Sequence, residues 1–399
     1  VFLLGAVFGK LIEISGFSRA IVQAVLRLIG AERAIAAIVL VCAVLTYGGV
    51  SLFVVVFAVY PFAAEMFRQG GIPKRLMPGA IALGAFTFTM TALPGTPQIQ
   101  NIIPTTFFDT TTWSAPWLGL TGALFTLAAG LAYLEWRRRR AAAAGESYGA
   151  ELRNEPVTPE GQPAHHPLVA LLPLVVVGVA NFLLTRWIPA WYPAGAAVEL
   201  PGLPAPLPAN ASDRVALWAV MGALIAGIAT ILLFSFKSVR AHFAEGSKSA
   251  VAGALLASMN TAAEYGFGGV IAALPGFLLV ADGLKAIPDP LVGEAVAVTA
   301  LAGITGSASG GMSIALAAMA QTFAENARAA GIPMDVLHRV AAMASGGMDT
   351  LPHNGAVITL LAVTGLTHRQ SYGDIFAITL ISTLSVFLVI GVYYLTGLV

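Results

Sequence analysis

The sequence predicts an all-α polytopic membrane protein of two homologous halves, expected to be inverted repeats, with broken helices and re-entrant hairpins. Three observations predict it. Of 399 residues, 57% are hydrophobic and only 10% are charged, whereas a soluble domain carries about 25% charged residues. Seven charge-free runs reach or approach the roughly 20 residues that cross a hydrocarbon core. Motifs interrupted by Gly and Pro recur in the same order in both halves.

The runs follow in order. Val1 to Ile14 is apolar and is expected to be a partial span with further helices before it. Ala34 to Phe62, Leu76 to Phe108 and Thr110 to Leu134 complete a first transmembrane repeat, residues 1–134. Residues 135–166 hold Arg137 to Arg140, four later acids and Pro156, Pro159 and Pro163, and read as a cytoplasmic linker by the positive-inside bias. Residues 167–248 supply intervening helices, Pro167 to Thr185 and Val215 to Phe236, around an external loop over 188–213 that lacks Lys and Arg until Arg214. The second repeat, residues 249–399, contains Ser249 to Val280, Ala295 to Ala324, Val340 to Val363 and Ile375 to Val399. Glu13, Glu65, Asp282 and Glu294 lie near segment ends and are expected to face interfaces.

Composition narrows the function. A net charge of +1 provides no basic footprint for nucleic acid. The lone Cys42 allows neither an intrachain disulfide nor a cysteine metal cluster. No P-loop, HExxH or nucleophile motif is present, so an enzyme and a cofactor are not expected.

The repeat is read from short matches. Gly48-Gly49-Val50-Ser51, Gly71-Ile72-Pro73 and Thr91-Ala92-Leu93-Pro94 are echoed by Gly310-Gly311-Met312-Ser313, Gly331-Ile332-Pro333 and Asp349-Thr350-Leu351-Pro352, at offsets of 262, 260 and 258 residues. Paired interruptions of this kind mark the substrate site of many transporters; small residues also serve plain helix packing. Irregular backbone at membrane depth is tolerated only where protein or a cavity covers it.

The interrupted segments hold the candidate chemistry. In Thr91 to Asn101, Pro94 and Pro97 break the helical ladder, and Thr96, Gln98 and Asn101 are candidate donors to an anion at a restarted helix N-terminus. In Thr305 to Ser313, Ser307, Ser309 and Ser313 are candidate substrate contacts. In Ser345 to Gly355, His353 and Asn354 join them, and Asp349 and His353 are candidate proton carriers. Glu264, within Asn260 to Gly269, is the third carrier candidate, because an acid inside an apolar stretch defaults to function. Each group also has a structural alternative, satisfying the broken backbone or packing the helices.

Gly303 to Ser313, Ala344 to Gly355 and the weaker Ala92 to Pro97 resemble the gluconate permease family of proton symporters, within the ion-transporter grouping. The resemblance implies inverted repeats, re-entrant hairpins, a homodimer in the bacterial inner membrane, and proton-coupled uptake of gluconate, related sugar acids or D-serine. Leu93-Pro94-Gly95-Thr96-Pro97 departs from the His/Pro-rich run of the better-known gluconate carriers. The chain is more similar to a subgroup for smaller hydroxy or keto acids such as 3-hydroxybutyrate. The expected function is therefore proton-coupled symport of a small organic anion by alternating access. Sodium coupling and an anion channel are the alternatives, and the partners are the substrate and the lipid bilayer.

Overall fold

The computed structural model describes the chain apart from residues 1, 31–32, 150–152, 156–164, 193–196, 199–206, 209–213, 273, 276–282 and 284–286. The first half runs α1 (Phe2–Ile14), α2 (Phe17–Ile29), α3 (Ala34–Tyr47), α4 (Leu52–Gln69), α5 (Met77–Ala85), the single turns α6 (Phe88–Thr91), α7 (Ile99–Ile102) and α8 (Thr105–Phe108), and α9 (Pro116–Ala143). Helix α10 (Pro167–Trp191) and the long α11 (Val215–Ala272, non-helical at Ser235) follow. The second half has α12 (Pro290–Thr305), α13 (Ala308–Ala329), α14 (Met334–Ser345), α15 (Gly355–Thr364) and α16 (His368–Thr396). Among the described residues the only strands are Ala197–Val198 and Leu207–Pro208, paired antiparallel.

Among the described residues four helices are long and apolar enough to span a bilayer: α9, α10, α11 up to Ala244, and α16. Their outward faces carry exposed Leu124, Val175, Ile225 and Leu384, as lipid contact requires. On α9, exposed Trp117 and Trp136 stand 19 residues apart, about 28 Å of helix, which matches two aromatic belts around a core of roughly 30 Å. By contrast α3, α12 and α15 have 14, 16 and 10 residues, about 21, 24 and 15 Å. They are shorter than a core of roughly 30 Å, and their ends form the breaks.

The run Ala34 to Phe62 is not one span. It is α3 and α4 separated at Gly48–Ser51, where Gly49 adopts φ +94. Helix α5 stops at Ala85, ahead of the prolines; the break at Pro94 and Pro97 follows the turn α6. Helix α9 continues to Ala143, so Arg137 to Arg140 are helical turns and not linker coil.

The sequence echoes share local structure. Gly71 (φ +61) ends α4, with Ile72 N–H donating to Phe67 O over 2.8 Å; Gly331 (φ +70) ends α13, with Ile332 N–H donating to Ala327 O over 2.8 Å. Both isoleucines are buried, the hydrophobic contact that usually completes a glycine cap. Pro73 and Pro333 then lead into the interrupted segments.

Charged groups gather at one edge. Buried Asp374 at the start of α16 accepts from Arg137 Nε at 2.6 Å and Tyr133 Oη at 2.9 Å. Glu155 accepts from Lys74 at 2.6 Å and Arg68 at 2.5 Å. Burial alone would raise the Glu155 pKa, but these cations outweigh it and hold the carboxyl below its usual range. Asp374→Ala strands cations around a buried position and should cost about 3 kcal/mol. Glu135→Ala removes exposed pairs to Arg138 and Arg139 and should cost about 1 kcal/mol or less. Thermal unfolding of the two variants in detergent checks the contrast.

Candidate functional site

The first break is built by residues 92–98 lying against the α3–α4 gap. Gln98 Nε2 donates to Thr46 O (2.7 Å) and Val50 O (3.3 Å), and Tyr47 Oη donates to Pro94 O (2.9 Å). Carbonyls released where α3 stops are thereby paired. Gly95 sits at φ +76 with its Cα against the Trp113 ring, so any side chain there would enter the indole. Asn181 on α10 donates to Gly95 O (2.9 Å) and Thr112 Oγ1 (3.3 Å).

The second break repeats the device. Asn354 Nδ2 donates to Gly306 O (2.7 Å), where α12 stops at a left-handed glycine. Its Oδ1 accepts from Ala356 N (2.6 Å) and Val357 N (3.0 Å), capping α15. Ser307 Oγ accepts from Gly310 N (3.1 Å), capping α13, and lies 3.5 Å from Ser309 Oγ. Ser313 is buried one turn further on. His353 is exposed beside Gly306, as is Pro352, whereas Pro94 is buried. Asp349 is buried, and its Oδ1 lacks a partner among the described residues. The Glu264 side chain lies outside the described residues.

This geometry changes how an anion would be met. The helix restarted at Ile99 has only four residues, too few to sum a useful dipole. In α15, two first-turn amides are already occupied by Asn354. At the start of α13, by contrast, the Ser307 side chain takes only Gly310 N.

The charge comes from Arg339, which the sequence reading passed over. It is fully buried on α14. Nη1 donates to Thr91 O and Asn101 Oδ1 (both 3.0 Å); Nε and Nη2 donate to Ser114 O (3.2 and 2.7 Å). Asn101 Nδ2 donates to Thr96 O (3.1 Å) and Thr112 O (2.8 Å). Its Oδ1 also receives His338 Nε2–H (3.2 Å), which leaves Nδ1 to accept from Thr110 Oγ1 (2.7 Å). Gly119 lets α9 approach Ala92 O and the arginine. Among the described residues Arg339 has only neutral hydrogen-bond partners.

Thr96, Gln98 and Asn101 thus form one cluster; Ser307, Ser309, His353 and Asn354 form a second. No described hydrogen bond joins them directly. Helix α14 bridges the two, with Arg339 at the first break and Gly346, at its end, against Thr91. Around the first break, buried polar atoms stay unpartnered among the described residues: Thr46 Oγ1, Thr96 Oγ1, Gln100 Oε1, Trp113 Nε1 and Asn181 Oδ1. Such atoms are rare unless water or a ligand meets them. Beside them lies a groove of about 820 Å³ lined by Tyr47, Phe88, Leu93, Trp113 and Phe182 and, on its outward side, by the exposed Leu40, Val175 and Val179. Arg339, His338 and Asn181 were findable: each is a strongly polar group inside or abutting an apolar run.

Spanning helices combined with interrupted helices whose breaks enclose buried polar groups define an integral membrane transporter rather than an enzyme. No family model matches the chain. The uncharacterized transporter YxjC of Bacillus subtilis (strain 168) is 59% identical over 409 residues, covering 100% of this chain and 86% of the relative. The chain belongs to the family of that transporter, as a multi-pass protein of the bacterial cytoplasmic (inner) membrane. The crystal structure of the YdaH transporter of Alcanivorax borkumensis, described as having an unusual topology, matches with a TM-score of 0.52 at 15% identity, over 99% of this chain and 85% of that one. That likeness concerns the fold.

Replacing Arg339 by Met leaves Thr91 O and Ser114 O without their donor. With about 1–3 kcal/mol per stranded group, Arg339→Met should lower stability by roughly 3 kcal/mol or more, read by thermal unfolding in detergent.

Proposed function

We propose that the protein is a proton-coupled symporter for a short organic anion, a hydroxy acid of the 3-hydroxybutyrate kind, working by alternating access. The observation that carries this reading is Arg339, a buried cation bonded only to neutral acceptors, beside a cluster of unpartnered polar atoms. A fixed positive charge at membrane depth is costly, and an anionic guest offsets it. Thr96 Oγ1 and Trp113 Nε1 supply uncommitted donors for a carboxylate or hydroxyl. Gln98 and Asn101 hold the break in shape rather than offering their amides. The departure of Leu93-Pro94-Gly95-Thr96-Pro97 from the His/Pro-rich run of the gluconate carriers supports an acid smaller than gluconate.

Ser307, Ser309, Ser313, His353 and Asn354 form the matching surface of the second half, with Asp349, His353 and Glu264 as candidate proton carriers. The shared glycine caps and amide clamps support descent of the halves from one repeat; we take the pair as inverted and the working unit as a homodimer. Sodium coupling and an anion channel are the competing outcomes of the test.

Labelled 3-hydroxybutyrate should accumulate in proteoliposomes under an imposed inward pH gradient, with gluconate competing poorly. Accumulation driven by sodium alone removes the proton, and flux without accumulation indicates a channel. Thr96→Val is isosteric and breaks no side-chain bond, so stability should hold within about 1 kcal/mol. Apparent affinity should fall about tenfold, the effect of one lost donor bond. Unchanged affinity would take Thr96 out of the site.

A further inference from the structure

Glu294 lies on α12 with no exposed surface, and neither carboxyl oxygen has a partner among the described residues. The sequence placed it near a segment end, facing an interface; the structure buries it. Its helix buries Leu291, Ala295, Val298, Leu301 and Ala302 on the same packed surfaces. Helices α13, α14 and α16 and the turn Met348–Thr350 pack around α12. Those elements carry the cations Arg328, His338, Arg339, His368 and Arg369, the acids Glu325, Asp335, Asp349 and Asp374, and the tyrosines Tyr372, Tyr393 and Tyr394. None of them hydrogen-bonds to Glu294, and on α12 itself Asp289 is engaged in capping through Val292 N.

An ionised carboxylate buried without donors costs several kcal/mol. Something positive must accompany the group, or it must hold a proton. A metal cation would require further oxygen ligands. No set of three acidic, His or Cys side chains suited to a metal occurs among the described residues, and no described group hydrogen-bonds to Glu294. The proton is the cation that fits.

Placement gives that proton a task. Gly303, near the end of α12, lies against Met348, and Thr350 hydrogen-bonds to Thr379, five residues beyond Asp374 at the basic edge. Glu294 is nine residues before Gly303, about 13 Å of helix. Asp289, at the start of α12, lies beside Tyr394 at the end of α16. Glu294 therefore occupies the half of the helix away from the basic edge, which is the outer half under the positive-inside assignment. The other end of the same helix is the break at Gly306, gripped by Asn354, while Thr299 Oγ1 ties its middle to Ala344 O (3.1 Å).

We propose that Glu294 binds the coupling proton from the outer side and that its loss drives α12, with the Gly306 break, out of its apolar packing. The coupling role rests on the symport reading above; proton binding by the residue does not.

Two measurements on the full chain separate these. In an infrared pH titration of the purified protein, the wild type should show a protonated-carboxyl band that Glu294→Gln lacks. Identical spectra overturn the proposal. In proteoliposomes with labelled 3-hydroxybutyrate, Glu294→Gln should keep counterflow within about twofold and lose pH-driven accumulation by about tenfold or more. Wild-type-like accumulation by the variant overturns the coupling role and leaves the symport reading standing. A wild type that ignores the pH gradient overturns the symport reading, and the coupling role with it, while the infrared result still decides proton binding. Should Glu294→Gln not fold, Glu294→Met, of similar size, serves in both arms.

Discussion

Carbonyl groups released inside hydrocarbon have to be bonded by something other than water, and a few side chains meet that requirement here. Gln98 takes the carbonyls where α3 stops, Asn354 takes the one where α12 stops, Asn181 takes Gly95 O, and Arg339 takes Thr91 O and Ser114 O. Backbone amides past each helix end take others: Gly48, Gly49 and Val50 N–H donate to Val44, Thr46 and Leu45 O, and Ser307 N–H to Ala302 O. The breaks, the groove beside them and the buried charge all follow from this one demand. Gln98 and Asn354 each precede the first residue of a restarted helix.

Much of this was legible in the residues. Pro94, Pro97 and Pro352 announce where helices cannot continue, and the Gly71 and Gly331 caps sit where the echoes put them. The electrostatics were not legible in the same way. Charge-free windows are bounded by charges, so a window opening at Val340 placed Arg339 and His338 just outside it, although α14 buries both. Glu294 was misjudged likewise: nearness to the end of a run says nothing about which side of a helix meets its neighbours. The helix starts differ between the breaks: four residues follow Gln98, whereas α13 runs for 22 residues beyond Ser307. Sequence shows where a helix can resume, not how long it lasts or whether its own cap residue has already used the free amides.

Charge is sorted by depth. At the basic edge Asp374, Glu155 and Glu135 each have cationic partners within hydrogen-bond reach. Deeper in, Arg339, Asp349 and Glu294 have no ion-pair partner among the described residues. Paired charges hold an edge together; isolated ones leave an electrostatic demand for something mobile to satisfy. At Glu294, which makes no hydrogen bond among the described residues, a protein that moved nothing would be more stable with an apolar residue.

Helix α14 has a mechanical consequence. Its guanidinium is fastened to the backbone on both sides of the first hairpin, at Thr91 and at Ser114, while its last turn leads directly into the second hairpin. Separating the two hairpins would mean tearing out an arginine that makes four hydrogen bonds, in a medium with no replacement donors. Residues 91–114 and 334–346 are thus obliged to travel as one rigid passenger, and any sliding surface in the molecule must lie outside it.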